Sequence, residues 1–276
     1  MSNSWTLITT IHDPDRRMVD FIEASVERLA MYADVFASVT DQTSGATVSR
    51  LCRAIKNVEI VPTGAPGSAQ RRALRSAAEA GHQSFFYCDF DRWLHWNARF
   101  PEELADLPRR ISSDHSQAWY VCLGRTERAF STHPAAQRLP EEATNRALTA
   151  VLGRRVDATA GAAWIGIEAS RHILEGSVAN SKATDLEWPG LVTRAGGQVD
   201  GVFLDGLEFE TADFYSDECM RLGSIEAWIQ QTYDRPEVLQ QRLQLAVDSI
   251  AAMRSALAGD TRAPERESTQ TRLEIV

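Results

Sequence analysis

Apolar residues along the first ninety positions follow two alternating patterns. Four short runs, Trp5 to Ile11, Val35 to Thr40, Val58 to Pro62 and Phe85 to Cys88, are rich in β-branched and aromatic residues and read as strands buried on both faces. Helical pattern fills the first and the third of the gaps between them. Val19, Ile22, Val26 and Leu29 share one face behind the cap chemistry of His12-Asp-Pro-Asp15. Gly67 to Ala80 is rich in helix formers and stops at Gly81, the residue type that most readily takes a left-handed C-cap.

Strands alternating with helices predict βαβ units and a mainly parallel sheet, whose ligands bind beyond the carboxyl ends of the strands. Those ends carry Thr10 and His12, then Asp41, then Thr63-Gly64, then Asp89 and Asp91, so polar groups distant in sequence are expected on one rim. In the second half the pattern predicts a strand over Ala118 to Leu123, a helix over Glu141 to Leu152, and an apolar segment Ala162 to Ile167 leading into a helix to Leu174. A short helix opens at Thr184-Asp-Leu-Glu-Trp-Pro189 and ends at Gly196-Gly197, followed by a strand from Gln198 to Leu204. Asp234 and Glu237 have capping-box spacing ahead of a C-terminal helix, with Leu239, Leu243, Val247, Ile250 and Leu257 expected on its buried face. The organisation expected is one α/β domain over 1–215, a helical extension over 216–259 and a polar, aperiodic tail over 260–276 expected to be disordered.

Composition narrows the class. The 276 residues are 43% hydrophobic and carry 29 basic against 38 acidic side chains, a net charge of −9 that argues against a nucleic-acid partner. No run reaches the ~20 apolar residues of a membrane span, and Met1-Ser-Asn-Ser lacks the order of a signal peptide, so a cytoplasmic location is expected. Cys52, Cys88, Cys122 and Cys219 form no CxxC pair and read as buried thiols. Two segments are charge-biased: Arg50 to Arg75 holds six basic residues and one acid, suited to a phosphate or to a solvated helix face, and Asp200 to Glu218 holds seven acids and no base. Walker, GxSxG, HExxH and GxGxxG motifs are absent, which removes weight from those reaction classes.

The sharpest chemical feature is Phe85-Phe-Tyr-Cys-Asp-Phe-Asp-Arg92, an apolar strand running into two carboxylates one residue apart. Strand alternation would send Asp89 and Asp91 to the same side, where a like-charge pair calls for a cation, and oxygen ligands suit Mg²⁺ or Mn²⁺. Trp93, His95 and Trp96 follow directly, suited to stacking on a sugar or to packing, and Trp164 and Trp188 offer the same for an acceptor pocket. His115 and His133 lie in polar sequence and are expected at the surface.

From Ser4 to Tyr215 the order of segments resembles the GT-A class of nucleotide-sugar glycosyltransferases, family 2-like members in particular. The resemblance implies a GT-A-like sheet in which Thr9, Thr10, His12 and Asp41 meet the nucleobase and ribose of a nucleoside-diphosphate sugar. It further implies that the stretch from Gly67 through Arg71 leads to a metal-binding Asp-x-Asp, here Asp89 and Asp91, holding Mn²⁺ or Mg²⁺ against the donor. Asp185, and after it Glu187, stand where inverting members carry the base for the acceptor hydroxyl of a small molecule or glycan. The departing pyrophosphate would be neutralised by the metal, with Arg71, Arg72 or Arg92 contributing. The late histidine ligand of retaining members has no counterpart after His172, where only carboxylates such as Asp205, Glu208, Glu210 and Asp213 follow, which favours inversion or a carboxylate in the histidine's place over a retaining histidine site and leaves phosphoglycerate- and glycerate-using relatives open. The family's Arg-Asn pair before the Asp-x-Asp strand is replaced by Arg71-Arg72. Two other readings stand beside this one: a nucleotidyltransferase of related fold, disfavoured because Thr10 to Arg16 is no glycine-rich lysine loop, and a non-catalytic nucleotide- or sugar-binding module.

Overall fold

The computed structural model describes residues 5–260. Its first half follows the predicted alternation and adds one helix, α2, that was not predicted: β1 (Thr6–Ile11), α1 (Val19–Leu29), β2 (Asp34–Thr40), α2 (Gly45–Ala54), β3 (Asn57–Val61), α3 (Pro66–Glu79) and β4 (Ser84–Cys88). Then come α4 (Phe90–Arg99), α5 (Pro101–Asp114), β5 (Tyr120–Arg125), α6 (Glu127–Ser131), α7 (Ala135–Leu152), β6 (Ala162–Gly166), α8 (Ile167–Gly176), α9 (Thr184–Arg194) and β7 (Val199–Leu204). The described chain ends in helices: α10 (Thr211–Phe214), α11 (Ser216–Leu222), α12 (Ile225–Thr232) and α13 (Pro236–Ala258). Among the described residues no helix is long and apolar enough to cross a membrane.

The strands form one sheet in the order β3-β2-β1-β4-β6-β5-β7. β3, β2, β1 and β4 run parallel, β6 runs antiparallel to both its neighbours, and β7 pairs parallel with β5. Strand alternation divides the core into two layers. Leu7, Phe86 and Cys88 face α1, α2, α4 and α5, while Ile8, Phe85 and Tyr87 face α3, α7, α8, α9 and α13. A smaller cluster built on Trp228 and Tyr233 gathers α10, α11 and α12 against Ala136 of α7 and Val238 of α13. This is a GT-A-like α/β architecture, mainly parallel, with helices on both faces.

Several local expectations are corrected. α4 was not predicted although Phe90, Trp93 and Leu94 stand at helical spacing, and the structure buries it from Phe90 through Asn97 except for the half-buried Asp91. Trp93 and Trp96 are core residues of that helix rather than sugar platforms. Val26 of α1 remains 37% exposed, the inner face being Ile22, Ser25 and Leu29. His12-Asp-Pro-Asp15 does not cap α1, whose N-cap is Met18 with no side-chain bond; Asp13 instead accepts the N–H groups of Arg17 and Met18 in the turn before it. Cys52 is exposed, whereas Cys88, Cys122 and Cys219 are buried. His133 is 3% exposed, and His115 is half-buried against Asp200.

The capping box at the start of α13 does not form, because Arg235 is its N-cap with no side-chain bond and Pro236 opens the helix. Its buried face is Val238, Ala246, Ser249, Met253 and Ala256, while Leu243 and Val247 stay 49% and 60% exposed. Small residues win that face because α13 packs closely on α9: a Cβ on Gly190 would lie 3.2 Å from the Ala256 Cβ and 3.3 Å from the Met253 carbonyl oxygen. Apart from Asp260, the expected tail over 260–276 lies outside the described residues.

Candidate functional site

Two adjoining cavities open beyond the carboxyl ends of β1 to β4. One, of about 480 Å³, is lined by His12, Thr40, Thr63, Gly64 and Pro66 from the rims of β1, β2 and β3. The other, of about 240 Å³, is lined by Asp89, Asp91, Arg92, Asp185 and Glu210, with Glu141 and Thr144 of α7 and Ser249 of α13. Lys182, Arg242 and Leu245 border both.

In the larger cavity the rim residues hold one another. His12 Nδ1 lies 2.7 Å from the Thr40 hydroxyl, and Asp41 accepts both the N–H of Thr63 (3.0 Å) and its hydroxyl (2.7 Å). These bonds from Thr63 hold the exposed Asp41 carboxyl below the usual aspartate range. Asp41 therefore shapes the wall through Thr63 rather than lining it. Thr9 is fully buried and donates to the Cys88 carbonyl at 2.7 Å, joining β1 to β4, so it is a packing residue.

Asp89 and Asp91 reach the smaller cavity by a different route from strand alternation. β4 stops at Cys88; Asp89 is the N-cap of α4 and Asp91 sits in its first turn. The Asp89 N–H donates to Gly161 at 2.9 Å, and Gly161 takes φ +67°, a conformation suited to glycine. The Asp89 carboxylate is heavily engaged: Lys182 Nζ lies 2.8 and 2.6 Å from its two oxygens, Thr10 donates at 3.2 Å and the Tyr87 hydroxyl donates as well. Burial opposes its charge, but Lys182 prevails and holds it below the usual range. Asp91 has the opposite balance. Burial, with Glu210 and Asp89 nearby, pushes its carboxyl up to about 7.

Glu210 bonds Arg92 at 3.0 Å through one oxygen, leaving Oε2 buried and without a partner. A buried unpartnered carboxylate oxygen beside a second carboxyl that resists ionisation is an excess of negative potential, which a hard cation would relieve. Among the described residues no three His, Cys, Asp or Glu side chains form a preassembled metal site. The donor set offered is therefore one or two carboxylates, the kind Mg²⁺ completes with substrate phosphates.

Asp185, in the first turn of α9, lines the same cavity, and burial pushes its carboxyl up to about 7 despite the neighbouring Lys182 ammonium. Glu187 goes elsewhere: it accepts the N–H groups of Val178 (2.7 Å) and Ala179 (2.9 Å) and the Ser177 hydroxyl, anchoring the segment that carries Lys182. Arg71 clasps the same segment at Ser177, Ala179 and Asn180, and the Gly67 N–H donates to Asn180 at 2.9 Å. A Cβ on Gly67 would come within 2.7 Å of the Ser181 carbonyl oxygen. Glu187, Arg71 and Gly67 thus position Lys182 instead of meeting a ligand. Trp164 bonds Ser84 and packs by Trp5, and Trp188 bonds Ser177 beside Tyr87; neither lines the cavities. Arg72 is paired with Glu59 at the surface. Most of the acidic run is likewise engaged, Asp205 and Glu208 by Arg128, Asp213 by His95 and Glu218 by Arg17, so only Glu210 of that run faces the site.

Lys182, Gly161 and Arg242 are the candidate-site residues that sequence pattern missed, whereas Glu210 was among the carboxylates noted after His172. One signal was present: the chain has 27 arginines and two lysines, so a lysine three residues before Asp185 stands out.

No protein-family model matches the sequence, and no curated protein matches it. Solved structures do. Glucosyl-3-phosphoglycerate synthase from Mycobacterium tuberculosis with Mn²⁺, uridine diphosphate and phosphoglyceric acid superposes with a TM-score of 0.57 at 13% identity, over 92% of this chain and 78% of that one. The same enzyme with Mn²⁺, UDP-glucose and glycerol 3-phosphate gives 0.54 at 14% identity, over 93% and 80%. At this identity the likeness shows the GT-A fold.

Proposed function

We propose that this protein is a glycosyltransferase that moves a sugar from a nucleoside diphosphate to an acceptor hydroxyl, with Mn²⁺ or Mg²⁺ and with inversion. The observation that carries the reading is Asp185: a carboxyl poised near neutral pH, in the same cavity as Asp89 and Asp91, beyond the strand ends of a GT-A-like sheet. A general base works best when its pKa lies near the working pH. The larger cavity, with Thr40, Thr63 and the glycine-proline turn at Gly64 to Pro66, suits a nucleoside. The smaller cavity suits a polyhydroxylated acceptor, since Gln137, Thr144, Thr159 and Ser249 line it with groups that both donate and accept.

The fold's solved neighbours carry Mn²⁺ or Mg²⁺ with uridine diphosphate, and the donor set here fits such a cation, with Asp91 as first ligand and Asp89 as second once Lys182 leaves it. Bound there, the cation would neutralise the departing diphosphate. Asp185 takes the acceptor proton as its oxygen attacks the anomeric carbon from the face opposite the leaving group. Arg92, held by Glu210 and the Leu207 carbonyl, keeps the wall beneath Asp91 fixed.

The test is incubation with UDP-, GDP- and ADP-sugars and a panel of polyol and glycan acceptors, with product configuration read by NMR. A β-linked product from an α-linked donor, lost in Asp185→Asn, is expected. An α-linked product overturns inversion, and failure to bind any nucleotide sugar overturns the donor reading.

A further inference from the structure

Lys182 and Arg242 stand at the seam of the two cavities, one from the segment before α9 and the other from α13. Each is an incompletely used cation. Lys182 Nζ spends two of its three donors on Asp89, at 2.6 and 2.8 Å. Arg242 has only a long ion pair, 3.9 Å from Glu141, and its Nε is buried with no partner although the side chain is 22% exposed. A buried guanidinium N–H without an acceptor is costly, and such a group facing a cavity calls for an anionic ligand there. The seam is also where a molecule spanning both cavities must pass, so its anionic part would lie between these two side chains.

Asp89 adds a constraint. While Lys182 covers both of its oxygens, a divalent cation can reach Asp89 only if the ammonium withdraws. The backbone around Lys182 is pinned by Glu187, Arg71 and Gly67, so withdrawal falls to the flexible four-carbon stem. A donor diphosphate at the seam would supply the anion for the released ammonium, and Asp89, with Asp91, would then be open to hold a divalent cation. Neither Asp89 nor Lys182 is then left without a partner of opposite charge.

We propose that Lys182 and Arg242 form the diphosphate-binding pair of the donor site, and that Lys182 is an exchanging counter-ion that covers Asp89 until donor and metal arrive and then passes to the donor's terminal phosphate. This rests on the glycosyltransferase reading above. Metal alone must displace Lys182 without compensation, so metal and nucleoside diphosphate bind with positive coupling, and the C-terminal helix α13 is part of the donor site.

Calorimetric titration of the full chain tests this, using Mn²⁺ alone, then nucleoside mono- and diphosphates of uridine, guanosine and adenosine, each with and without Mn²⁺. In the wild type one base series should bind, with the diphosphate favoured over the monophosphate and Mn²⁺ strengthening it. In Lys182→Met and Arg242→Met the preference for diphosphate should fall at least tenfold with monophosphate affinity little changed, and Arg242→Lys should restore part of it. Mn²⁺ alone should bind at least fivefold more tightly to Lys182→Met than to wild type. The proposal is overturned if both variants keep the diphosphate preference, if mono- and diphosphate weaken equally, or if Mn²⁺ binds Lys182→Met no better. Should either methionine variant fail to fold, Lys182→Gln and Arg242→Gln carry the same comparison. A wild type that binds no nucleotide in any series overturns the glycosyltransferase reading itself, an outcome independent of the variants.

Discussion

Replacing Asp185 by Asn tests the site through stability as well as activity. In the folded protein burial pushes this carboxyl up to about 7, whereas an unfolded chain titrates it near 3.9. The folded state therefore holds the proton more tightly, and the associated stability is fully present below about pH 4 and lost as pH rises through 7. The difference corresponds to a ceiling of about 4 kcal/mol at pH 8.5. Asp185 keeps partial solvent contact, and screening reduces the expected figure to about 1–3 kcal/mol. Asparagine mimics the protonated acid and cannot ionise, so Asp185→Asn should exceed wild type by less than about 1 kcal/mol at pH 4.5 and by about 1–3 kcal/mol at pH 8.5. Urea denaturation at four pH values between 4.5 and 8.5, with the slope of unfolding free energy checked for constancy, measures this. The same substitution should lower kcat by roughly 10²–10⁴ and remove the rising limb near pH 7. A stability difference that does not change with pH, or a variant less stable at pH 8.5, refutes the placement of Asp185 in a desolvated cavity. A retained rising limb refutes its role as base.

Three further substitutions probe the scaffold. Gly161→Ala should weaken Mn²⁺-dependent nucleotide binding about tenfold or more, because a Cβ at φ +67° would lie 2.5 Å from an Asp89 oxygen; unchanged titrations would refute that contact. Glu187→Ala should cost roughly 2–4 kcal/mol in denaturant unfolding through two orphaned backbone N–H groups, with Glu187→Gln less damaging, and a loss of turnover without loss of stability would instead make Glu187 a reacting group. Arg125→Met should cost about 3–5 kcal/mol, since Arg125 is fully buried between Asp157 at 2.8 Å and Glu141 at 2.7 Å; a neutral result in thermal and urea unfolding would show that the two acids repack without it.

The first half of the fold was readable because its strands are contiguous apolar runs and its helices carry one apolar face. Helix α4 carries the same signal in Phe90, Trp93 and Leu94, but strand alternation carried through Asp89 and Asp91 masked it, and the burial of Arg92, His95 and Asn97 has no counterpart in apolar pattern. The inner face of α13 was read in part: Leu239, Ile250 and Leu257 pack against the core, but Leu243 and Val247 face outward. Large apolar residues drew the prediction, but close packing against Pro189 and Gly190 of α9 selected Ala246, Ser249 and Ala256. The tryptophans show the same limit: Trp164 and Trp188 look alike for stacking on a sugar or on Phe, and only their hydrogen bonds to Ser84 and Ser177 separate the two.

By itself the sequence determined the class of fold and marked Asp89, Asp91 and Asp185 as candidates, which the structure gathers on one cavity beyond the strand ends, because strand ends and helix starts are local events read from local pattern. Which charges meet across the rim was decided only by tertiary structure. Asp89 faces Lys182 from 93 positions away and Glu141 faces Arg242 from 101, pairings that depend on the packing of α9 and α13 over the sheet and leave no trace in either segment alone.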